Sequence, residues 1–289
     1  MAIDVYQVVT EKIIAQLEQG IVPWRRPWDA SVGQPRNLDG RYYRGINVLL
    51  LGLSGYDDPR WGTYKAISEK GGKVIKGEKG SIAVFFKMLE SKTEVDSKGR
   101  PKKIPMLRYF TVFNVKQTEG LDLPTLDEGL WADAEEDSDV EALGAAVIEG
   151  YADCPDIMID SVGASYNPKS DEIRMPDEDR FISTAHYYLT LFHEAVHSTG
   201  HEKRLARDEI VKGGSFGSQS YSREELVAEI GSAMIATTAN VPTDLPNSAS
   251  YIASWLKALR NDKKLIVSAA NRAQHAAEYI LEGRKPEVS

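Results

Sequence analysis

The sequence predicts an α+β protein with two domains, an N-terminal α+β domain and a C-terminal, mainly helical domain with a small sheet. At 289 residues, the chain is longer than a usual single domain. Residues 1–120 hold 20 Lys and Arg against 13 Asp and Glu, a net charge of +7, which leaves −15 for the rest of a chain whose total is −8. Residues 121–138 are acidic and polar, as exposed linkers are. We therefore expect domains over residues 1–120 and 139–289.

The pattern of the first domain alternates helical and extended segments. Helix-spaced apolar residues predict a helix over residues 1–20, and Pro23 and Pro27 predict a loop after it. Residues 61–70 have the pattern of a short helix. Residues 81–89 and 104–115 are rich in Ile, Val, Phe and Tyr, which predicts two strands, and the polar residues between them predict a long hairpin loop.

The second domain has mostly helical periodicity. A helix is predicted over residues 137–151, and short strands over residues 157–175. Ser183 has the residue type and position of an N-cap for a helix that runs through His197, and Gly200 stands where that helix is expected to end. Further helices are predicted over residues 223–237, 249–259 and 262–281.

The strongest chemical signal in the chain is His193-Glu194-Ala195-Val196-His197. Two histidines four residues apart on a helix project from one face, so their imidazoles can converge on one cation. The spacing is typical of zinc metalloproteases, in which the intervening glutamate is the general base. We therefore predict Zn²⁺ bound by His193 and His197, with Mn²⁺ or another divalent ion as alternatives, and Glu194 as the catalytic residue.

A catalytic zinc has a third protein ligand and leaves its fourth position to water. His201 would lie about 12 Å further along a continuing helix than the first histidine, so it can contribute only if Gly200 redirects the chain. The other source is a glutamate of the later helix. On a helical wheel Glu229 lies nearest the packed face, Glu225 about 40° further out, and Glu224 towards solvent. The sequence favours Glu229 as the third ligand and keeps Glu225 as the alternative.

The predicted chemistry is hydrolysis of a peptide bond. Zinc lowers the pKa of a bound water towards about 7, and Glu194 would take its proton. We expect the strand over residues 173–175 to bind an extended peptide by edge pairing. Tyr221 or Tyr166 could stabilise the oxyanion.

The basic first half interleaves aromatic and cationic residues, as proteins that bind single-stranded nucleic acid do. Bases stack on aromatic rings while Lys and Arg neutralise phosphates, and no base sequence has to be read. The candidate DNA-binding residues are Trp24, Arg25, Arg26, Arg41, Tyr42, Tyr43, Arg44, Trp61, Lys65, Lys73 and Lys76.

Five motifs occur together in the chain: Ile21-Val22-Pro23-Trp24, Tyr43-Arg44-Gly45-Ile46-Asn47, Lys76-Gly77-Glu78-Lys79-Gly80, the two-histidine motif and Glu224-Glu225-Leu226-Val227-Ala228-Glu229. In this combination the chain resembles the ArdC family of antirestriction proteins. The resemblance implies a plasmid-type protein with a single-stranded-DNA-binding domain and a zincin-like metallopeptidase domain, which protects incoming conjugative DNA from host restriction. It also supports Glu229 as a ligand. The N-terminal region is similar to plasmid TraC primases.

Two other interpretations remain open at this stage. The chain could be a DNA-binding protective protein whose metal site is structural, or its acidic half could mimic DNA, although that charge is dispersed rather than concentrated in one run. The protein substrate, a component of the restriction machinery or another protein, is not identified. Cys154 is the only cysteine, and no apolar run is long enough to span a membrane, so we expect a cytoplasmic protein without an intrachain disulfide.

Overall fold

The computed structural model describes residues 4–24, 33–95, 100–124, 137–159, 163–213, 219–243 and 249–283, and its architecture is α+β, as predicted. In the N-terminal half the helices are α1 (Val5–Glu18), α2 (Ile46–Gly52) and α3 (Tyr64–Glu69). The strands there are β1 (Arg36–Asn37), β2 (Arg60–Gly62), β3 (Lys73–Val74), β4 (Ser81–Val95), β5 (Pro101–Asn114) and β6 (Thr118–Glu119).

A long antiparallel hairpin dominates this half. β4 pairs with β5, β5 with β2, and β2 with β1 in parallel, which gives a four-stranded sheet in the order β1-β2-β5-β4; β3 and β6 form a separate pair. The predicted long loop between the strands is wrong, because pairing continues through polar positions to Glu90 opposite Lys103 and to Val95 opposite Pro101. Main-chain hydrogen bonds do not require apolar side chains, so a polar segment can extend a ribbon into solvent.

The C-terminal half is mainly helical, with a small sheet. Its helices are α4 (Asp137–Gly150), α5 (Thr184–Thr199), α6 (Asp208–Val211), α7 (Gln219–Thr238), α8 (Ala249–Asn261) and α9 (Leu265–Glu282). Its strands are β7 (Asp156–Ile159), β8 (Ser165–Asn167) and β9 (Glu172–Met175). β9 is the central strand, parallel to β7 and antiparallel to β8. Both edges of β9 are therefore occupied, and the expectation that residues 173–175 bind a peptide by edge pairing is wrong.

Helix α5 begins and ends at the residues that the sequence indicated. The Ser183 hydroxyl accepts a hydrogen bond from the His186 amide, which caps the first turn, and the helix ends at Thr199 with Gly200 as its C-cap. α7 packs directly against α5. A Cβ at Gly231 of α7 would lie 2.9 Å from Val196 Cγ2, so the missing side chain permits this close approach. The approach brings the acidic first half of α7 beside the two histidines.

The cores of the two halves are continuous. α1 packs on α8 and α9, and its residues Val9, Ile13 and Leu17 belong to the same buried cluster as the apolar face of α9. The Thr10 hydroxyl also donates a hydrogen bond to the Lys263 carbonyl, at 2.7 Å. A fragment of residues 1–120 would expose the apolar face of α1, so tests of either half require the full chain. Among the described residues, no helix is long and apolar enough to cross a membrane.

Candidate functional site

His193 and His197 lie one turn apart on α5 and face each other through the same ring atom. Their Nε2 atoms are 3.1 Å apart, and the ring centroids 4.8 Å. This is the convergence that the spacing predicts, because positions i and i+4 share a helix face. Both side chains are largely buried, so the two Nε2 atoms are largely shielded from solvent.

Glu225 is the carboxylate that joins the two Nε2 atoms. Its oxygens lie 3.4 Å from Nε2 of His197 and 3.7 Å from Nε2 of His193. One ligand atom from each of the three residues lies within 4.8 Å of the others. Two imidazole nitrogens and a carboxylate oxygen suit a divalent transition metal, and this donor set leaves a coordination position open.

Glu229, which the sequence favoured as the third ligand, lies on the other side of the first imidazole. Its carboxylate is 4.0 Å from Nδ1 of His193, the nitrogen that faces away from His197. A carboxylate oxygen on this side of the ring can orient the imidazole through Nδ1–H. It is on the opposite edge from Nε2 and is therefore poorly placed to share a cation with that atom. The geometry thus favours Glu225, the alternative that the helical wheel ranked second. His201 lies apart from this cluster, with Nδ1 3.9 Å from Asp171.

Glu224 has a role at this site that the sequence did not indicate. The helical wheel directed it towards solvent, yet it is buried, and its Oε1 lies 3.2 Å from Nδ1 of His197. Its second partner is Arg207, whose Nε donates to Oε2 at 3.0 Å. Each imidazole therefore has a carboxylate at Nδ1 and a shared carboxylate at Nε2. A signal for this arrangement exists in the sequence, since Glu224 is adjacent to Glu225, but its arginine partner comes from a loop.

The carboxylates around the two histidines favour positive charge at this site. Burial opposes protonation of the imidazoles, but the hydrogen bonds that they donate to Glu225 and, at His197, to Glu224 raise the pKa values of both histidines. Conversely, burial raises the pKa of Glu225, yet the two imidazoles hold it well below its ordinary value. A cluster that stabilises positive charge in this way is suited to a cation.

Glu194 and Tyr221 also interact with this cluster. Glu194 is buried, and its charge acts on both imidazoles and on Tyr221. Tyr221 is hydrogen bonded to Glu225, and burial together with that carboxylate raises the pKa of its hydroxyl, which therefore stays protonated. Tyr166, the other oxyanion candidate, is engaged elsewhere, because its hydroxyl donates to Asp171 at 2.8 Å and accepts from Arg204.

Three of the aromatic residues proposed to stack on bases pack inside the protein. Trp24 is 1% exposed and makes an edge contact with Trp255, at 5.0 Å between ring centroids. Trp61 is 2% exposed and packs on Tyr56 in the same way. Tyr43 is partly buried against the cluster that contains Trp61, and burial raises the pKa of its hydroxyl to about 12. The DNA-binding role predicted for Trp24 and Trp61 does not fit the structure, because both rings are covered by the core, and Tyr43 keeps only part of its surface exposed.

The other candidates of this group have different positions. Tyr42 is 51% exposed, and Arg41, Lys65, Lys73 and Lys76 are exposed as well. Arg44 is paired with Glu278 of α9 at 2.5 Å. Arg25 and Arg26 lie outside the described residues.

The sequence analysis did not include Phe85 and Arg108 among the candidate DNA-binding residues. They are opposite each other on β4 and β5, both exposed, with the Phe85 ring 50% accessible. Tyr64 and Tyr109 are further exposed rings of this half.

The fold and the site define the class of protein first. The family model for a zincin-like metallopeptidase matches residues 152–272, which contain both histidines and all three carboxylates of α7. The model for the N-terminal domain of anti-restriction factor ArdC matches residues 3–113. The chain therefore combines an ArdC-type N-terminal region with a zincin-like metallopeptidase domain.

Whole-chain similarity then gives the family. The structure superposes with a TM-score of 0.74 on crystal structures of the antirestriction ArdC protein from plasmid R388. The metal-free form is 40% identical, with 97% of each chain covered, and the Mn(II)-bound form is 39% identical, with 99% of this chain and 100% of that chain covered. The chain belongs to the ArdC family of antirestriction proteins.

Curated relatives include longer proteins. An Escherichia coli DNA primase TraC is 34% identical over 96% of this chain, but the match spans only 27% of the primase, and a second TraC is matched over 20% of its length. An uncharacterized protein, y4eC, of Sinorhizobium fredii (strain NBRC 101917 / NGR234) is 35% identical over 96% of this chain and 91% of its own length.

Proposed function

We propose that this antirestriction protein binds single-stranded DNA through its N-terminal half and hydrolyses a peptide bond at a divalent metal site held by His193, His197 and Glu225. The observation that carries the proposal is the convergence of two Nε2 atoms and the Glu225 carboxylate, with Glu194 near enough for its charge to act on both imidazoles. The Mn(II)-bound form of the ArdC protein from R388 supports a divalent cation here. We propose Zn²⁺ or Mn²⁺, because imidazole and carboxylate ligands suit both.

Each protein group has a defined task in this reaction. A divalent metal supplies Lewis acidity, which activates a water and polarises the substrate carbonyl. Glu194 accepts the proton of the attacking water at its carboxylate and then donates it to the leaving amine. On substrate binding, the Tyr221 hydroxyl would exchange its hydrogen bond to Glu225 for one donated to the developing oxyanion. Glu229, at Nδ1 of His193, orients that imidazole rather than acting as the third ligand.

The peptide would lie along an edge of the small sheet. With β9 central, the edge strand that packs on α5 is β8, which can pair with an extended peptide through its main-chain groups. The substrate is a protein, for which a component of the restriction machinery is the candidate that family membership favours.

Substitution of Glu194 by Gln tests catalysis. The isosteric amide cannot accept a proton, so we expect metal content to be retained and antirestriction in cells that carry a restriction system to be lost. Glu202→Gln is a matched control, because Glu202 is an exposed carboxylate just after the same helix. Full protection by Glu194→Gln with bound metal would refute catalysis and would favour the alternative, a DNA-binding protective protein with a structural metal.

The DNA surface that we propose combines exposed rings with exposed cations. Phe85 and Arg108 form one part of it on the hairpin, and Tyr42 with Arg41 forms another. Lys65, Lys73 and Lys76 would add phosphate contacts. The TraC relatives and the ArdC N-terminal region favour DNA as the ligand, and exposed rings beside cations favour single strands, whose bases are free to stack.

The test measures binding of a fluorescent oligothymidylate to the full chain at several salt concentrations. Phe85→Ala should weaken binding by about 1–3 kcal/mol for one lost stacking contact, and Arg108→Ala should reduce the salt slope by about 1. Tyr251→Ala, which removes an equally exposed ring from α8, is the control. The DNA proposal fails if the wild type does not bind at low salt, and this surface is refuted if Phe85→Ala and Tyr251→Ala bind equally.

A further inference from the structure

The end of helix α5 is closed by a buried arginine. After Gly200 the chain turns back, with the Leu205 amide bonded to the Thr199 carbonyl and the Arg207 amide to the Gly200 carbonyl. The turn directs the Arg207 side chain, which is 6% exposed, under the last turn of the helix. There its guanidinium donates to the Val196 carbonyl at 2.7 Å and to the Thr199 hydroxyl at 2.6 Å. The Val196 carbonyl belongs to the last turn of α5, where carbonyls lack an amide partner within the helix, and it also accepts a hydrogen bond from the Thr199 hydroxyl, at 2.6 Å.

The other side of the same guanidinium holds Glu224 in a two-pronged contact. Nε donates to Oε2 at 3.0 Å and Nη2 to Oε1 at 2.5 Å. Oε1 is also the atom that lies 3.2 Å from Nδ1 of His197. A continuous chain of contacts therefore runs from Arg207 through Glu224 to the imidazole, and all three side chains are buried.

This chain of contacts fixes one orientation of the second histidine. An imidazole whose Nδ1–H donates to a carboxylate has its lone pair on Nε2, directed towards His193 and Glu225. Glu224 can stay there only if a cation balances it, because an unpaired buried carboxylate is costly and would protonate or leave. Arg207 is the cation that the structure supplies.

We propose that Arg207 is a positioning residue for the metal centre: it holds Glu224 against Nδ1 of His197 and so presents Nε2 of that histidine to the cation. The inference rests on the proposed metal site. Arg207 does not touch the cation, so its effect on metal affinity is indirect and runs through Glu224.

The direction in which metal affinity changes in Arg207 variants distinguishes a positioning role from an effect of charge alone. A guanidinium near a divalent cation repels it, so Arg207→Met would tighten metal binding if charge were its only influence. Loss of positioning weakens binding instead, and substitutions of groups that orient a ligand from outside the coordination sphere lower metal affinity by about 10–100-fold. We expect the weakening for Arg207→Met, and also for Arg207→Lys, because lysine keeps the charge but not the planar fork.

Gly200 provides a milder test that changes no member of this chain of contacts. Its φ is negative, so alanine is not strained by the backbone, but a Cβ would lie 2.9 Å from Nη2 of Arg207 and 2.6 Å from Ile210 Cγ1. Gly200→Ala should displace the guanidinium and weaken metal binding in the same direction as Arg207→Met, by a smaller factor.

Arg204 is a matched control, because it is a buried arginine of the same turn. It donates to the Ser198 carbonyl at the same helix end and is paired with Asp171, yet in the described part of the chain its side chain contacts neither Glu224 nor the imidazoles of His193 and His197. Arg204→Met should lower the melting temperature, as Arg207→Met should, and leave metal affinity within about threefold of wild type, since its side chain holds none of the metal-centre side chains.

The experiment titrates Zn²⁺ and Mn²⁺ into the full-length, metal-free protein and its variants by calorimetry, with melting curves beside each titration. No metal binding by the wild type would refute the proposed function itself. With wild-type binding established, unchanged or tighter binding by Arg207→Met, or an equal loss in Arg204→Met, would overturn the positioning role. Glu224→Gln combined with Arg207→Met should cost less than the two single losses added, and strict additivity would also overturn it.

Discussion

The choice between Glu225 and Glu229 as third ligand predicts different losses for two substitutions on one helix. Glu225→Ala removes the carboxylate that lies 3.4 and 3.7 Å from the two Nε2 atoms. Glu229→Ala removes one that lies 4.0 Å from Nδ1 of His193, on the far edge of the ring. The two variants lose the same group from positions one turn apart, so each is the control for the other.

The expected magnitudes follow from what each carboxylate contacts. Four-ligand zinc sites bind with about 10–16 kcal/mol, which is about 2.5–4 kcal/mol per ligand, so Glu225→Ala should weaken zinc binding by about 10²–10³-fold. Loss of an outer carboxylate costs about 10–100-fold. Because 4.0 Å is longer than a hydrogen bond, we expect Glu229→Ala to fall near the lower end, about tenfold.

The assay is competition for zinc between the full-length protein and a chromophoric chelator at neutral pH. Equal metal affinity in the wild type and Glu225→Ala would refute the assignment. A larger loss in Glu229→Ala than in Glu225→Ala would also refute it, and would restore the ligand that the sequence favoured.

Three further predictions concern the fold. Trp61→Ala should lower the free energy of unfolding by about 3–5 kcal/mol in urea titrations, because the ring is in the core; a change below about 1 kcal/mol would contradict its burial. Gly144→Ala should cost about 1–3 kcal/mol in the same assay, since a Cβ would lie 2.4 Å from the Tyr188 ring, and wild-type stability would contradict that contact. Burial raises the pKa of Asp171, but the hydrogen bond from Arg204 holds that pKa below its ordinary value of 3.8. The ionised Asp171 carboxylate therefore stabilises the fold above pH 3.8, and this stabilisation is lost as the pH falls through the lower pKa of the folded state. Asp171→Asn should accordingly be less stable than wild type near pH 6, and this difference should shrink in thermal melts as the pH falls below 3.8 and through the lower pKa of the folded state; a constant difference would contradict it.

The features of the site that depend only on neighbouring residues in the chain were predicted from the sequence. The spacing of His193 and His197 fixes their shared face, and Ser183 and Gly200 mark the ends of their helix because capping depends on neighbouring residues. The third carboxylate could not be predicted in this way. A helical wheel gives directions around one axis, whereas the choice between Glu225 and Glu229 depends on which edge of an imidazole each one meets across two packed helices.

Burial was the other feature that the sequence left open. Trp24 and Trp61 stand among basic residues in the chain, and that pattern is the same for a ring that stacks on a base and a ring that packs on Trp255 or Tyr56. Glu224 was directed to solvent by its position on α7, and only the return of the chain after α5 supplies the arginine that makes its burial tolerable.

Anomalous diffraction from crystals of the full chain soaked with Zn²⁺ or Mn²⁺ tests the metal centre most directly. We predict one strong peak about 2.0–2.2 Å from Nε2 of His193, Nε2 of His197 and a carboxylate oxygen of Glu225, with Glu224 still at Nδ1 of His197. A peak ligated by Glu229 instead of Glu225, or no peak beside the two histidines, would contradict the proposed centre.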